Sequence, residues 1–253
     1  MRAAGIDIGS RSIELVILEN GQIAETRYTH TTFDPMAVVK DLVSDVRFDR
    51  IVATGYGRNL FEIAFEGETV TEIKAHARGA RHDFPEASTI LDIGGQDSKV
   101  IRTDEAGKVV KFEMNDRCAA GTGKFLEIMA RSLGFSIDEF GTAALSQGEE
   151  LPINSMCTVF AESEVTSLLA RGEDRLKIAR GLHSSVVRRA MSMLKRVSVQ
   201  GPVVFTGGVA NNPCMVRLLE DLTERTIYIP ENPHMAGALG AALIADESLR
   251  QKT

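Results

Sequence analysis

Apolar residues crowd the first stretch, AAGIDIGSRSIELVIL (residues 3–18), with Ile13, Leu15 and Ile17 spaced by two. That pattern predicts a strand, a glycine turn and a second strand. NGQ at 20–22 is a turn signal, and IAETRYTH (23–30) predicts a third strand. In DPMAVVKDLVSDV (34–46) the apolar positions take helical spacing after Asp34-Pro35, a favourable helix opening. RIVATGYG (50–57) then reads as a strand entering a glycine-rich loop, and EIKAHARGARHDFP (72–85) as a helix ending near Pro85. The pattern restarts at STILDIGGQDSKVIRTDEAGKVVKFEMND (88–116), again strand, turn, strand, turn, strand. Helices are expected at 122–134, 160–171, 173–196 and about 213–223, with strands at PVVFTGG (202–208) and TIYIP (226–230). A small-residue helix, HMAGALGAALIA (234–245), closes the pattern.

The restart is a repeat in the letters. GIDIGSRSIELVIL and ILDIGGQDSKVI each place Asp-Ile-Gly before a short polar turn, so two similar halves facing each other are expected. An Asp ending a buried strand, followed by glycine and small polar residues, can hold Mg²⁺ while the turn's N–H groups cradle phosphate. One such turn is equally well an ordinary hairpin turn. Two copies, with a third glycine-rich strand end at VVFTGGVANN, favour the phosphate reading.

This trio resembles the actin, Hsp70 and sugar-kinase superfamily (the ASKHA fold), an α/β fold of two duplicated domains around a nucleotide cleft. By that resemblance residues 1–85 form subdomain I and residues 86–253 subdomain II, and the C-terminal helix, about 234–246, packs back at the hinge. The resemblance assigns Asp7, Gly9, Ser10 and Ser12 to the first phosphate loop. Asp92, Gly94, Gly95, Gln96 and Asp97 form the second, and Gly207, Gly208, Val209, Asn211 and Asn212 lie near the nucleoside. Gln96 is a candidate for orienting an attacking water, or a polar residue filling a turn; Asp97 is a candidate Mg²⁺ ligand or base.

Composition narrows the class. The chain has 253 residues, 43% hydrophobic and 25% charged, the balance of a globular α/β protein. A net charge of −6 argues against non-specific nucleic-acid binding, which needs a basic footprint. No apolar run approaches a membrane span, and the strand-like start leaves no room for a signal peptide. The three cysteines do not make a disulfide scaffold, so the cytoplasm is the expected compartment.

Two of those cysteines carry the remaining chemistry. Cys118, in NDRCAAGTGKF, and Cys157, in SMCTVFAESEV, each precede an expected helix, with Ser155 or Thr158 a candidate cap for the second. A helix N-terminus favours thiolate. Two thiolates are too few for a [4Fe–4S] cluster unless a symmetric dimer supplies the other pair. Buried small hydrophobes are the plain alternative. Cys214, after NNP, reads as structural.

NDRCAAGTGKFLEIMA and CTVFAESEV, with VATGYGRN, LDIGGQDSKV, FTGGVANN and GALGAAL in the same order, resemble the activators (archerases) of 2-hydroxyacyl-CoA dehydratases. These belong to the wider ATPase family that includes the ATP-hydrolysing subunits of benzoyl-CoA reductase. The resemblance implies a homodimer with one [4Fe–4S] cluster ligated by Cys118 and Cys157 of each subunit. It also implies MgATP hydrolysis to ADP, with the helix after Gly121 as the lever, and a ferredoxin or flavodoxin as electron donor. The acceptor would be an iron–sulfur enzyme: a 2-hydroxyacyl-CoA dehydratase, a benzoyl-CoA reductase core or a double-cubane-cluster protein. One departure stands out. The activators commonly carry Thr and Lys where this chain has Arg11 and Glu14; Arg11 can supply a cation to phosphate and Glu14 cannot. A small-molecule kinase of the same fold, with structural cysteines, is the alternative. The five His, including His76 and His183, show no metal-binding spacing.

Overall fold

The computed structural model describes residues 1–155 and 157–251. Among these, the first half builds β1 (Arg2–Ile8), β2 (Ser12–Glu19), β3 (Gln22–His30), α1 (Pro35–Val43), β4 (Arg50–Thr54), α2 (Arg58–Phe65), β5 (Glu68–Thr69) and α3 (Glu72–Asp83). The second builds β6 (Thr89–Ile93), β7 (Ser98–Thr103), β8 (Val109–Asn115), α4 (Gly123–Ser132), α5 (Ile137–Leu145), α6 (Thr158–Ala170) and α7 (Arg175–Val197). It ends with β9 (Val203–Thr206), α8 (Pro213–Thr223), β10 (Ile227–Tyr228) and α9 (Ala236–Arg250). The two sheets repeat one topology: β3-β2-β1-β4-β5 in the first and β8-β7-β6-β9-β10 in the second. In each, the opening strand runs antiparallel to the second and parallel to the fourth.

The strand β2 is buried on both faces, which explains its nearly unbroken apolar run. Ile13, Leu15 and Ile17 join the cluster with Ile6, Val39 and Phe61, while Val16 and Leu18 join the one built from α9. Local chemistry starts the helices: the Asp34 side chain accepts from Ala37 N at 3.0 Å with Pro35 just inside α1, and Asp174 caps α7. Two helices went unread in the sequence. The short α2 begins inside GYGRN, and α5 opens on Ser136 and Glu139, which form a reciprocal capping box. That box was legible as SIDE at 136–139; the apolar residues after it were too few to mark a helix.

All strands before Pro85 form the first sheet and all strands after it the second, yet two helices are exchanged. From the first half, α3 lays Ala77 and Ala80 on Ile90, Ile101 and Val204 of the second sheet. From the chain's end, α9 lays Ala238, Leu239 and Ala242 on Ala3, Val16 and Val52 of the first. The two helices cross at glycines. A Cβ on Gly79 would collide with the Ala236 carbonyl oxygen, and one on Gly240 with the Ala75 carbonyl oxygen. Backbone against backbone leaves no side chain to yield, so Gly79→Ala and Gly240→Ala should each cost about 2–3 kcal/mol or more. Urea denaturation checks this; losses below about 0.5 kcal/mol would show that the helices slide apart without penalty.

Candidate active site

Each half ends its first strand in the same turn. Gly9 N donates to Ser12 O at 2.9 Å, and Gly94 N donates to Asp97 O at 3.0 Å. The register makes Asp7 and Asp92, Ser10 and Gly95, Arg11 and Gln96, and Ser12 and Asp97 counterparts, with Glu14 opposite Asp7 and Lys99 opposite Asp92. The repeat extends to the fourth strands. Thr54-Gly55 and Thr206-Gly207 end them alike, both glycines have positive φ (90° and 84°), and a Cβ on either would crowd the neighbouring aspartate. The signal for this was present as ATG and FTG but is too short to read alone.

The two turns face each other. Arg11 packs against Gly95, whose added Cβ would lie 3.0 Å from Arg11 Cβ. Between them opens a cavity of about 260 Å³ lined by Ser10, Arg11, His30, Thr31, Gly95, Gln96 and Lys124. Two cations, backbone of a glycine turn and an exposed amide make this wall suited to an anion. Gly123 N and Lys124 N donate to the carbonyls of Gly94 and Gly95 at 2.9 and 2.8 Å, so α4 starts directly on the second turn. On the third loop Gly207 is buried, Gly208 faces open space and Asn211 is exposed, while Val209 sits in the core. The Asn212 amide is taken up inside the protein: Oδ1 caps α8 by accepting from Cys214 N and Met215 N, and Nδ2 lies 3.0 Å from His183 Nε2.

Behind the turns lies a buried charge network that joins the halves. His76, on α3, sits with Nε2 3.7 Å from Asp7 Oδ2 and Nδ1 3.2 Å from Asp92 Oδ1. Lys99 Nζ reaches Asp97 at 2.5 Å, Glu72 at 3.1 Å and Asp92 at 3.2 Å. Burial works against the His76 cation, but Asp92 and Asp7 outweigh it and lift its pKa to about 9. Asp92 is held below the usual carboxylate range: burial opposes this, and His76 and Lys99 overcome it. The first half is different. Burial pushes Asp7 up to about 6 and Glu14 up to about 8, with Asp7 adding to the rise at Glu14. Burial also raises Asp97, against the pull of Lys99. Thr206 Oγ1 donates to Asp92 at 2.9 Å, whereas its counterpart Thr54 Oγ1 is buried with no partner. Asp92 is therefore saturated, and Asp7 is the aspartate left with coordination to spare. The network was missed in the sequence because His76 stands alone in a helix and Lys99 looks like a strand surface residue. Only the fold brings them together.

The cysteines occupy different backbone. Cys157 is itself the N-cap residue of α6, with neither Ser155 nor Thr158 bonding as a cap. Cys118 lies in the loop ahead of α4, which Thr122 opens, and its carbonyl accepts from Asn115 Nδ2 at 2.9 Å. Both thiols are exposed; Cys214 is buried, and burial pushes its thiol up to about 11. Among the described residues no group of three or more His, Cys, Asp or Glu is placed to hold a metal ion.

Two duplicated α/β halves with paired Asp-x-Gly turns across a cleft define a nucleotide-binding fold of the actin, Hsp70 and sugar-kinase type. A ROK-family glucokinase from Streptomyces griseus shares it at 13% identity and a TM-score of 0.60, over 98% of this chain and all of the other, a likeness of fold alone. The sequence matches the BadF/BadG/BcrA/BcrD ATPase family over residues 4–245, and the chain belongs to that family. It is 41% identical to the activator of lactoyl-CoA dehydratase of Anaerotignum propionicum, across the whole of both chains. The activator of the 2-hydroxyisocaproyl-CoA dehydratase from Clostridium difficile, solved with bound ADPNP, superposes with a TM-score of 0.91 at 40% identity, covering 100% of this chain and 97% of the other.

Protons follow from this network. His76, raised from an ordinary 6.5 to about 9, adds stability that is complete below pH 6.5 and lost as pH rises through 9. Glu14, raised from 4.5 to about 8, keeps a proton that the unfolded chain releases, so it too lowers stability as pH rises from 4.5 to 8. Glu14→Gln removes the second contribution. Its melting curve should be flatter between pH 6 and 8, and at pH 8.5 it should melt roughly 3 °C or more above the parent. Parallel curves would show Glu14 ionised in the folded protein.

Proposed function

We propose that this chain is an ATP-hydrolysing activator that drives a low-potential electron into a partner iron–sulfur enzyme, working as a homodimer with one [4Fe–4S] cluster. The observation that carries this is α4. Its first N–H groups are bonded to the second phosphate turn, and the loop leading into it holds Cys118. The 41% identical dehydratase activator and the ADPNP-bound relative support the nucleotide and the kind of partner.

In this reading Asp7, with fewer partners than Asp92, takes Mg²⁺, and the turns at Gly9–Ser12 and Gly94–Asp97 receive the phosphates. Arg11 and Lys124 offset the phosphate charge that Glu14, buried and protonated, leaves uncompensated. Gln96, exposed at the tip of its turn, orients the water that attacks the terminal phosphorus. Asp97, raised by burial, accepts that water's proton as the bond to ADP breaks, giving ADP and phosphate. The third loop, Gly207, Gly208, Val209 and Asn211, takes the nucleoside, while Asn212 holds the loop in place by capping α8.

The donor set fits a shared cluster. Each chain offers two exposed thiols, Cys118 and Cys157, so four thiolates require a second copy. Exposed apolar side chains beside Cys157, Val159 at 66% and Phe160 at 68%, suit burial against that copy. A [4Fe–4S] cluster supplies one-electron transfer there; a ferredoxin or flavodoxin is the expected donor. Anaerobically prepared protein should carry about four iron per dimer. Cys118→Ser and Cys157→Ser should each abolish it, and Cys214→Ser should keep it. Protein that takes up no iron on anaerobic reconstitution would refute the electron-transfer role. Gln96→Ala should slow MgATP hydrolysis roughly 10- to 100-fold with nucleotide affinity nearly unchanged. Hydrolysis at the parental rate would remove Gln96 from the mechanism.

A further inference from the structure

Arg11 stands at the tip of the first turn, yet its guanidinium does not point to its own half. It forms an ion pair with Glu127, which lies on α4 one turn in from the helix start. The helix is thus tied twice. Its backbone N–H groups bond to the second turn at Gly94 and Gly95, and its Glu127 carboxylate is held by the first turn through Arg11. The same Arg11 lines the anion-suited cavity, with its turn counterpart Gln96 opposite and Lys124 beside it. Lys124 Nζ is also 3.4 Å from Glu127, so the carboxylate keeps a cation if Arg11 leaves.

We propose that Arg11 is a phosphate-sensing arm with two exclusive partners, Glu127 when the cleft is empty and the terminal phosphate of a nucleoside triphosphate when it is filled. This rests on the nucleotide reading above and adds to it the residue pair that reports occupancy to α4. The chemistry allows the exchange. A guanidinium fork serves a carboxylate or a phosphate equally in geometry. The Arg11 side chain is 46% exposed, and a pair that open is worth at most about 1 kcal/mol. A terminal phosphate carries more charge than a carboxylate, so it wins the guanidinium whenever it is present. Glu127 is then a positioning residue: it parks Arg11 and ties α4 to the first half until nucleotide arrives. A diphosphate reaches the arm less well, and a monophosphate does not engage it.

The test is calorimetric titration of the intact protein with the Mg²⁺ complexes of AMPPNP, ADP and AMP. Glu127→Gln frees the arm and should tighten AMPPNP roughly threefold to fivefold, ADP less, and AMP not at all. Arg11→Ala should weaken AMPPNP roughly 10- to 100-fold with AMP unchanged. In the Arg11→Ala/Glu127→Gln double variant most of the gain from Glu127→Gln should vanish, because only the weaker Lys124 contact is left to free. The arm is refuted if Glu127→Gln changes all three nucleotides alike, changes none, or keeps its gain without Arg11. Parent protein that binds AMPPNP while both variants bind it identically refutes the arm alone. Parent protein that binds none of the three refutes the nucleotide reading with it.

Discussion

A single imidazolium holds this architecture together. His76 lies between Asp7, from the first sheet, and Asp92, from the second, at 3.7 and 3.2 Å. Two buried aspartates facing one cleft repel each other in a low dielectric, and an uncompensated carboxylate there is costly. The cation between them makes the juxtaposition tolerable, and it must arrive on a helix close to both strands. The glycines of α9 provide that approach. A Cβ on Gly237 would collide with Asp7 Oδ2 and reach within 3.0 Å of His76 Nε2, and Gly240 lets α3 pass backbone to backbone. Helix crossing, charge network and glycine turns are therefore one constraint met at three levels.

Within that frame the halves have diverged where chemistry needs them to. The same backbone hydrogen bond closes both turns, but the residues opposite the aspartates are inverted in charge, Glu14 against Lys99. Lys99 pairs with Asp92 and with one oxygen of Asp97, so the second half supplies its own cation. Glu14 gives Asp7 no cation, so the first half stays open to one from solvent. Arg11, at the tip of the first turn, places positive charge on the cleft side.

Much of this was legible in the letters. The repeated Asp-Ile-Gly turns, the strand order implied by two matching hairpins and the small-residue helix at the end all follow from local rules. So does the placement of Cys118 and Cys157 ahead of helices, although only Cys157 is a cap residue and Cys118 sits in the loop before α4. What could not be read were relations across the fold. The exchange of α3 and α9 between sheets leaves no local trace, since an alanine-rich face suits either sheet. His76, Lys99 and Glu127 are ordinary polar residues in helices and a strand until the second sheet is folded against the first. The capping role of Asn212 at the start of α8 went unread beside its expected place near the nucleoside, because Asn-Pro at a helix start satisfies both descriptions.

The sugar-kinase likeness is one of fold alone, and the two exposed thiols lie on the segments leading into α4 and α6. On the proposed reading, a nucleotide-driven change at α4 would be carried toward Cys118, because the helix starts on the second turn and is tied to the first through Arg11. The most direct measurement is the low-temperature EPR spectrum of the anaerobic, dithionite-reduced protein with and without MgATP. A signal from a reduced [4Fe–4S] centre that MgATP reshapes and AMP leaves alone is the expected result. A signal indifferent to MgATP, in protein that hydrolyses it, would contradict the coupling of the cleft to the cysteines.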